Sequence, residues 1–131
     1  MELLKDRLRE AFEKFNLLEQ PLKVEFAYLF GSIPEGLAGV LSDIDIAVYL
    51  NLSPSLDEEI GLHLFLSRFF NTDRIDLVIL NTAKNMLLQD DIIRKGVVVY
   101  DRNPVLREAF ELNVLHNTID FKEQRKVFLG R

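Results

Sequence analysis

Cysteine is absent from this chain, and so are long apolar runs. Without a thiol, the sequence excludes a disulfide-stapled secreted module, a thiolate zinc site and a cysteine nucleophile, and it favours a reducing compartment. No stretch approaches the roughly 20 apolar residues of a membrane span, and the residues after Met1 lack a signal-peptide pattern. We therefore expect a cytoplasmic protein with no membrane partner.

Basic residues are too few for a general nucleic-acid surface. The chain has 16 lysines and arginines against 21 aspartates and glutamates, a formal net charge of -5, and we expect no direct binding to nucleic acid. A basic cluster near the C-terminus is more simply a solvated helix face. Its members are Lys122, Arg125, Lys126 and Arg131.

Several common catalytic motifs are missing as well. Neither GxxxxGK[ST] nor GxGxxG occurs, which excludes a P-loop and a Rossmann dinucleotide site. His63 and His116 are far apart and lack the spacing of metal ligands, so each is expected to be a structural or surface residue. Ser32 is not in a GxSxG elbow, so the sequence does not support a serine hydrolase.

What is present is an alternation of helix and strand patterns. Apolar residues at spacings of three and four predict an amphipathic helix from Glu2 to Leu18, ended by Pro21. Short apolar segments bounded by turn residues predict four strands. They are residues 24–30, 43–50, 74–80 and 97–100.

Capping residues mark the remaining helices. Ser55 and Glu58 form a possible capping box for a helix that ends near Asn71. One or two short helices should end at Gly96, and a C-terminal helix should begin at about residue 104. The pattern predicts one α/β domain, residues 1–131, with a small mixed sheet and flanking helices, in which the first two strands could pair antiparallel.

Three aspartates stand out among the apolar strand segments. Asp43 and Asp45 are two residues apart in a predicted strand, so their side chains share one face about 7 Å apart. Asp76 joins them if the third strand is a neighbour in the sheet. Clustered carboxylates repel one another unless a cation neutralises them, and an oxygen-only set suits Mg²⁺ in phosphoryl chemistry.

The residues before the aspartates suit phosphate binding. Gly31 allows the backbone to approach a phosphate closely, and the hydroxyl of Ser32 and nearby amides can bind its oxygens. Structural roles are the alternative for the aspartates: Asp43 could begin a strand, and Asp45 could face solvent. Asp76 could pair with Arg74 or Lys84.

The order of these motifs resembles the GSxxxG…SDxDhxV signature (h, hydrophobic) of the DNA polymerase beta-like nucleotidyltransferase superfamily. The matching residues are Gly31, Ser32, Gly36, Ser42, Asp43, Asp45 and Ile46. Asp76 occupies the place of the third carboxylate of that superfamily. The short length and the segment from Met86 to Tyr100 are similar to minimal nucleotidyltransferases, including MntA-type antitoxins paired with HEPN toxins.

The resemblance implies a metal-dependent nucleotidyltransferase with ATP as the donor. Gly31, Ser32 and Ser42 would contact the nucleotide, Asp43 and Asp45 would bind Mg²⁺, and Asp76 would complete the metal site near the acceptor. It further implies an antitoxin that adenylylates a tyrosine of a HEPN ribonuclease toxin. Two alternatives remain: transfer of a nucleotide to a small molecule, or a catalytically inactive module that neutralises its toxin by contact.

One departure from the resembled pattern concerns nucleotide affinity. Many minimal members have Ala-Arg-Gly where this chain has Pro34, Glu35 and Gly36. Replacing a cation by Glu35 beside a polyphosphate removes an attraction and adds a repulsion, which keeps the inactive alternative open.

The C-terminal helix is the candidate partner surface, because it has more apolar residues than a small sheet must bury. They are Phe110, Leu112, Leu115, Phe121, Val127, Phe128 and Leu129. The alternative is that most of them pack against the core of the same chain. A homo- or hetero-oligomer is compatible with either outcome.

Overall fold

The computed structural model describes the backbone of residues 2–31 and 43–128, and the side chains of residues 2–31 and 43–120. Four helices and four strands lie in these ranges. The helices are α1 (Glu2–Asn16), α2 (Leu56–Phe70), α3 (Met86–Lys95) and α4 (Pro104–Phe128). The strands are β1 (Val24–Phe30), β2 (Ile44–Leu50), β3 (Ile75–Ile79) and β4 (Val97–Asp101).

The strands form one mixed sheet in the order β3-β2-β1-β4. β1 is antiparallel to both β2 and β4, whereas β2 and β3 are parallel and are connected through α2. The α/β class with a small mixed sheet is therefore confirmed. The short connection between β1 and β2 gives the antiparallel pairing that the sequence left open.

Helices cover both faces of the sheet. α1 and α2 pack on one face, where Leu8, Phe12 and Leu62 join strand residues in the larger apolar core. α3 and α4 pack on the other face over a smaller core that contains Phe26 and Tyr28. The strand side chains alternate between these two cores, as a period of two requires.

The first helix is shorter than the sequence predicts. It ends at Asn16 rather than Leu18, well before Pro21. The reason is that the Asn16 side chain bonds to β1: its Oδ1 accepts from the Val24 N–H at 2.8 Å, and its Nδ2 donates to the Val24 carbonyl at 2.9 Å. Nδ2 also donates to the Tyr100 hydroxyl. These contacts fix where the chain leaves α1.

The cap predictions for α2 are confirmed. Ser55 and Glu58 form the reciprocal capping box, and Asn71 ends the helix in the left-handed conformation. The His63 ring donates from Nε2 to the Ile75 carbonyl over 2.8 Å, so this histidine joins α2 to β3. The segment after Asn81 forms one helix, α3, which ends before Gly96.

None of the helices in the described part of the chain combines the length and apolar character needed to cross a membrane.

Candidate functional site at the β2–β3 edge

Asp45 and Asp76 lie side by side on neighbouring strands. Asp45 of β2 is the register partner of Asp76 of β3, and paired residues of parallel strands project their side chains from the same face. The apolar neighbours Ile46 and Ile75 belong to the core under α1 and α2. The two carboxylates are therefore on the face opposite that core.

Asp43 lies one row further along the same ladder. It immediately precedes β2, and it lies opposite Arg74 when the register of the Ile44–Ile75 pair is continued by one residue. The Ile44 N–H donates to the Arg74 carbonyl at 2.9 Å. Arg74 Nη1 is 3.5 Å from Asp43 Oδ1. The structural alternative from the sequence paired Asp76 with Arg74 or Lys84; the structure shows an ion pair between Arg74 and Asp43.

Gly31 ends β1 directly beside Asp45. Its φ is +81°, a conformation that side chains strongly disfavour. A Cβ at this position would overlap Asp45 Oδ2 and lie 3.0 Å from Asp45 Cγ. Glycine is therefore required twice, by the backbone conformation and by the carboxylate packed against it.

The electrostatics of this site penalise the charged form of Asp45. Burial, together with the hydrogen bond and negative charge of Asp76 and the charge of Asp43, raises the pKa of Asp45 from 3.8 to about 6. Asp45 therefore binds a proton, or a cation in its place, more readily than an isolated aspartate does.

Two of the three aspartates are placed so that their carboxylates could bind Mg²⁺ together. Within residues 2–31 and 43–120, no three His, Cys, Asp or Glu side chains are close enough together to hold a metal ion, and Asp43 faces Arg74 instead. Mg²⁺ commonly takes only one or two protein carboxylates and completes its octahedron with water and substrate phosphates. Asp45 and Asp76 meet that smaller requirement.

Three residues of the predicted site lie outside the described residues. They are Ser32 and Ser42, which the sequence assigns to nucleotide contact, and Glu35, which replaces the arginine of many minimal nucleotidyltransferases. The structure therefore describes four members of the predicted neighbourhood: Gly31, Asp43, Asp45 and Asp76. The structure adds Arg74 to this neighbourhood. Its position two residues before Asp76 in the third strand segment was the sequence feature that could have indicated it.

A network of polar side chains supports the face of the sheet on which the aspartates lie. Sequence patterns did not indicate this network. Tyr28 of β1 donates its hydroxyl to Glu111 of α4 at 2.5 Å. Arg107 donates to Asp101 at 2.7 Å and to Glu111 at 3.1 Å. Burial and the bond to Glu111 raise the pKa of Tyr28, while the bond to Asp101 raises the pKa of Arg107. The network fastens α4 to β1 and β4.

The sequence matches the model of one protein family, described as polymerase beta, nucleotidyltransferase, over residues 14–105. This range includes Gly31, Asp43, Asp45, Arg74 and Asp76. A search of curated proteins found no match.

Solved structures of toxin–antitoxin complexes contain chains with a similar fold. One complex, with AMP-PNP, has a chain that is 22% identical, with 95% of this chain and 94% of that chain covered and a TM-score of 0.74. Another is a tri-AMPylated Shewanella oneidensis HEPN toxin with its MNT antitoxin, with 22% identity, 98% and 96% coverage and a TM-score of 0.71. A mutant MntA–HpeT complex gives 22% identity, 95% and 94% coverage and a TM-score of 0.75.

Proposed function

This chain belongs to the polymerase beta nucleotidyltransferase family, and from that premise we propose that it is an antitoxin that transfers AMP from ATP to a tyrosine of a HEPN toxin. The observation that carries the proposal is the pair of adjacent carboxylates, Asp45 and Asp76, with Gly31 packed against Asp45. This arrangement suits metal-assisted phosphoryl chemistry. We place the reaction in the cytoplasm, consistent with a chain that lacks cysteine.

Each residue of the site has a distinct role in this proposal. In this proposal Asp45 and Asp76 would hold Mg²⁺ on the side of the acceptor, and Asp43 would join them as a metal ligand when Arg74 leaves it. The metal, when bound, neutralises negative charge on the triphosphate and polarises the α-phosphate. The backbone at Gly31, together with Ser32 and Ser42, contacts the nucleotide. Asp76 is exposed at the β3 edge, which leaves it accessible to a protein acceptor.

The transfer step is an in-line displacement at the α-phosphorus of ATP. The tyrosine oxygen forms a new bond to this phosphorus while the bond to the β-phosphate oxygen breaks, and pyrophosphate leaves with the electron pair. Asp76 accepts the tyrosine proton, which then passes to water. The products are an AMP ester of tyrosine and pyrophosphate.

Two similar structures support the proposed acceptor and donor. One contains an AMPylated HEPN toxin, which supports a toxin as the acceptor, and another contains an ATP analogue, which supports ATP as the donor. The alignment covers 94% or more of these similar chains. An extra substrate-binding domain, common in nucleotidyltransferases that modify small molecules, is therefore not needed to account for the likeness.

The proposal is tested by incubating the protein with ATP, Mg²⁺ and a HEPN ribonuclease toxin. Intact-mass spectrometry of the re-isolated toxin should show added adenylate, peptide mapping should place it on tyrosine, and the ribonuclease activity of the toxin should fall. EDTA and the Asp76→Asn variant serve as controls. Because the modification is covalent, inhibition should persist after the two proteins are separated.

Two other results of this experiment would support the alternative functions. An unmodified toxin that is inhibited only while bound establishes a binding module, in keeping with Glu35. Adenylylation of a small molecule with no change in the mass of the toxin moves the acceptor to that class.

We further propose that the toxin docks on the outer face of α4. Three apolar residues, Val105, Leu112 and Ile119, are more than half exposed and are spaced by seven residues, so they form one stripe along the helix. Phe110 and Val114 instead pack inward. Of the predicted C-terminal surface, Phe110 therefore belongs to the core and Leu112 to the exposed stripe. The side chains of Phe121, Val127, Phe128 and Leu129 lie outside the described residues. Val105 and Ile119 extend the stripe beyond the residues that the sequence indicated.

Leu112→Asp should weaken toxin binding at least tenfold, because it places a charge in the centre of this stripe. Isothermal titration calorimetry measures the effect. Leu3→Asp is the matched control, since Leu3 is 74% exposed on α1 and Leu112 is 71% exposed. Both variants should melt like wild type. Equal affinities for the two variants would place the docking surface elsewhere.

A further inference from the structure

The parallel ladder arranges four charged side chains in two adjacent rows on one face. Asp45 and Asp76 form one row, and Asp43 and Arg74 form the other, two residues along the strands. The rows are about 7 Å apart along the strand direction. A guanidinium thus lies within the carboxylate site rather than at a distant point on the surface.

The charges of these four side chains do not cancel. Three carboxylates and one guanidinium leave two negative charges, the charge that one divalent cation neutralises. Arg74 compensates Asp43 directly, with 3.5 Å between Nη1 and Oδ1. Arg74 therefore forms an ion pair with Asp43, a carboxylate that the proposed mechanism assigns to metal binding.

The Asp43–Arg74 contact is suited to exchange. Both side chains are about half exposed, 47% for Asp43 and 51% for Arg74, and ion pairs between such exposed groups contribute little to stability. The backbone around them is held by the bond from Ile44 to Arg74 and by the bond from the Arg74 N–H to Thr72 Oγ1. The side chains can therefore separate while the strands stay paired.

We propose that Arg74 is an exchangeable counter-ion: it neutralises Asp43 in the metal-free protein and transfers its guanidinium to the triphosphate when the metal–nucleotide complex binds. This inference rests on the proposed nucleotidyl transfer and assigns a positioning residue to that site. Arginine suits the second role because its planar guanidinium donates two parallel hydrogen bonds to phosphate oxygens.

The inference predicts effects of opposite sign from one substitution. Arg74→Gln removes the competitor from Asp43, so nucleotide-free protein should bind Mn²⁺ about threefold more tightly. The same variant loses a phosphate contact, so it should bind Mg²⁺ with a non-hydrolysable ATP analogue about tenfold more weakly. Electron paramagnetic resonance of free Mn²⁺ measures the first affinity, and isothermal titration calorimetry measures the second.

Arg102→Gln is the matched control. Arg102 pairs with Glu25 at the opposite edge of the sheet, so its removal changes the net charge equally without touching the site. It should leave both affinities as in wild type. Arg74→Lys should keep Mn²⁺ affinity near the wild-type value while restoring only part of the analogue affinity, because an ammonium lacks the two-pronged geometry.

The outcomes separate this inference from the proposed function. Unchanged or weaker Mn²⁺ binding in Arg74→Gln overturns the counter-ion role, and unchanged analogue affinity overturns the transfer to phosphate. If wild type binds Mn²⁺ and the variants behave as stated but no toxin is modified, the proposed function fails while the role of Arg74 stands. Wild type that binds no Mn²⁺ overturns both.

Discussion

Asp45→Asn is expected to lower AMP transfer by at least about 100-fold, which corresponds to about 3 kcal/mol or more of lost transition-state stabilisation. The amide preserves the size of the side chain beside Gly31 and can donate to Asp76, so the fold should be retained. It removes the negative charge with which Asp45 would hold Mg²⁺. The rate of adenylate incorporation into the toxin measures the effect, and wild-type turnover in this variant would exclude Asp45 as a ligand.

The same variant should be more stable than wild type in the absence of metal, with a defined pH dependence. The pKa of Asp45 is about 6 in the folded protein against 3.8 ordinarily, so wild type loses stability as pH rises from about 4 through 6 and Asp45 ionises beside Asp76. The neutral amide of the variant has no such loss. The advantage of the variant should be absent near pH 4 and reach about 1 kcal/mol above pH 7, after allowance for solvent screening.

Thermal melts in EDTA at several pH values test this second effect. About 1 kcal/mol corresponds to a shift of roughly 3 to 6 °C in the midpoint for a domain of this size. Addition of Mg²⁺ should reduce the difference, because the metal neutralises the charge that destabilises wild type. Asp57→Asn, at an exposed position in the first turn of α2, serves as a control for the substitution itself. A pH-independent difference would contradict the electrostatic cause.

Arg107→Met is expected to lower the free energy of unfolding at pH 7 by about 3 kcal/mol. Arg107 lies between Asp101 and Glu111, and all three side chains are mostly buried. Methionine retains much of the volume but leaves two carboxylates facing each other without their cation. Because Glu111 also accepts from Tyr28, the substitution loosens the attachment of α4 to β1.

Urea denaturation of the two proteins measures the loss. Arg9→Met is the control, since Arg9 and Asp6 form an ion pair in which both side chains are more than half exposed. Its effect should stay within about 0.5 kcal/mol. A similar loss in both variants would show that the network around Arg107 has no special stabilising role.

The local sequence determined most of the secondary structure. The Ser55 and Glu58 capping box, the αL residue Asn71 and the alternation of β2 are signals carried by adjacent residues, so they could be interpreted without tertiary contacts. Where a boundary depended on a distant partner, the prediction was wrong. α1 ends at Asn16 because that side chain bonds Val24 and Tyr100, which no local pattern reveals.

The sequence by itself identified the candidate site residues: three aspartates in strand phase and a glycine before them, in the order of a known family. Only the tertiary structure decided their neighbours. Sheet order made Asp45 adjacent to Asp76, and register made Arg74 the partner of Asp43. The physical reason is that spacing along one strand fixes the face of each side chain, whereas pairing between strands depends on how the helices cover the sheet.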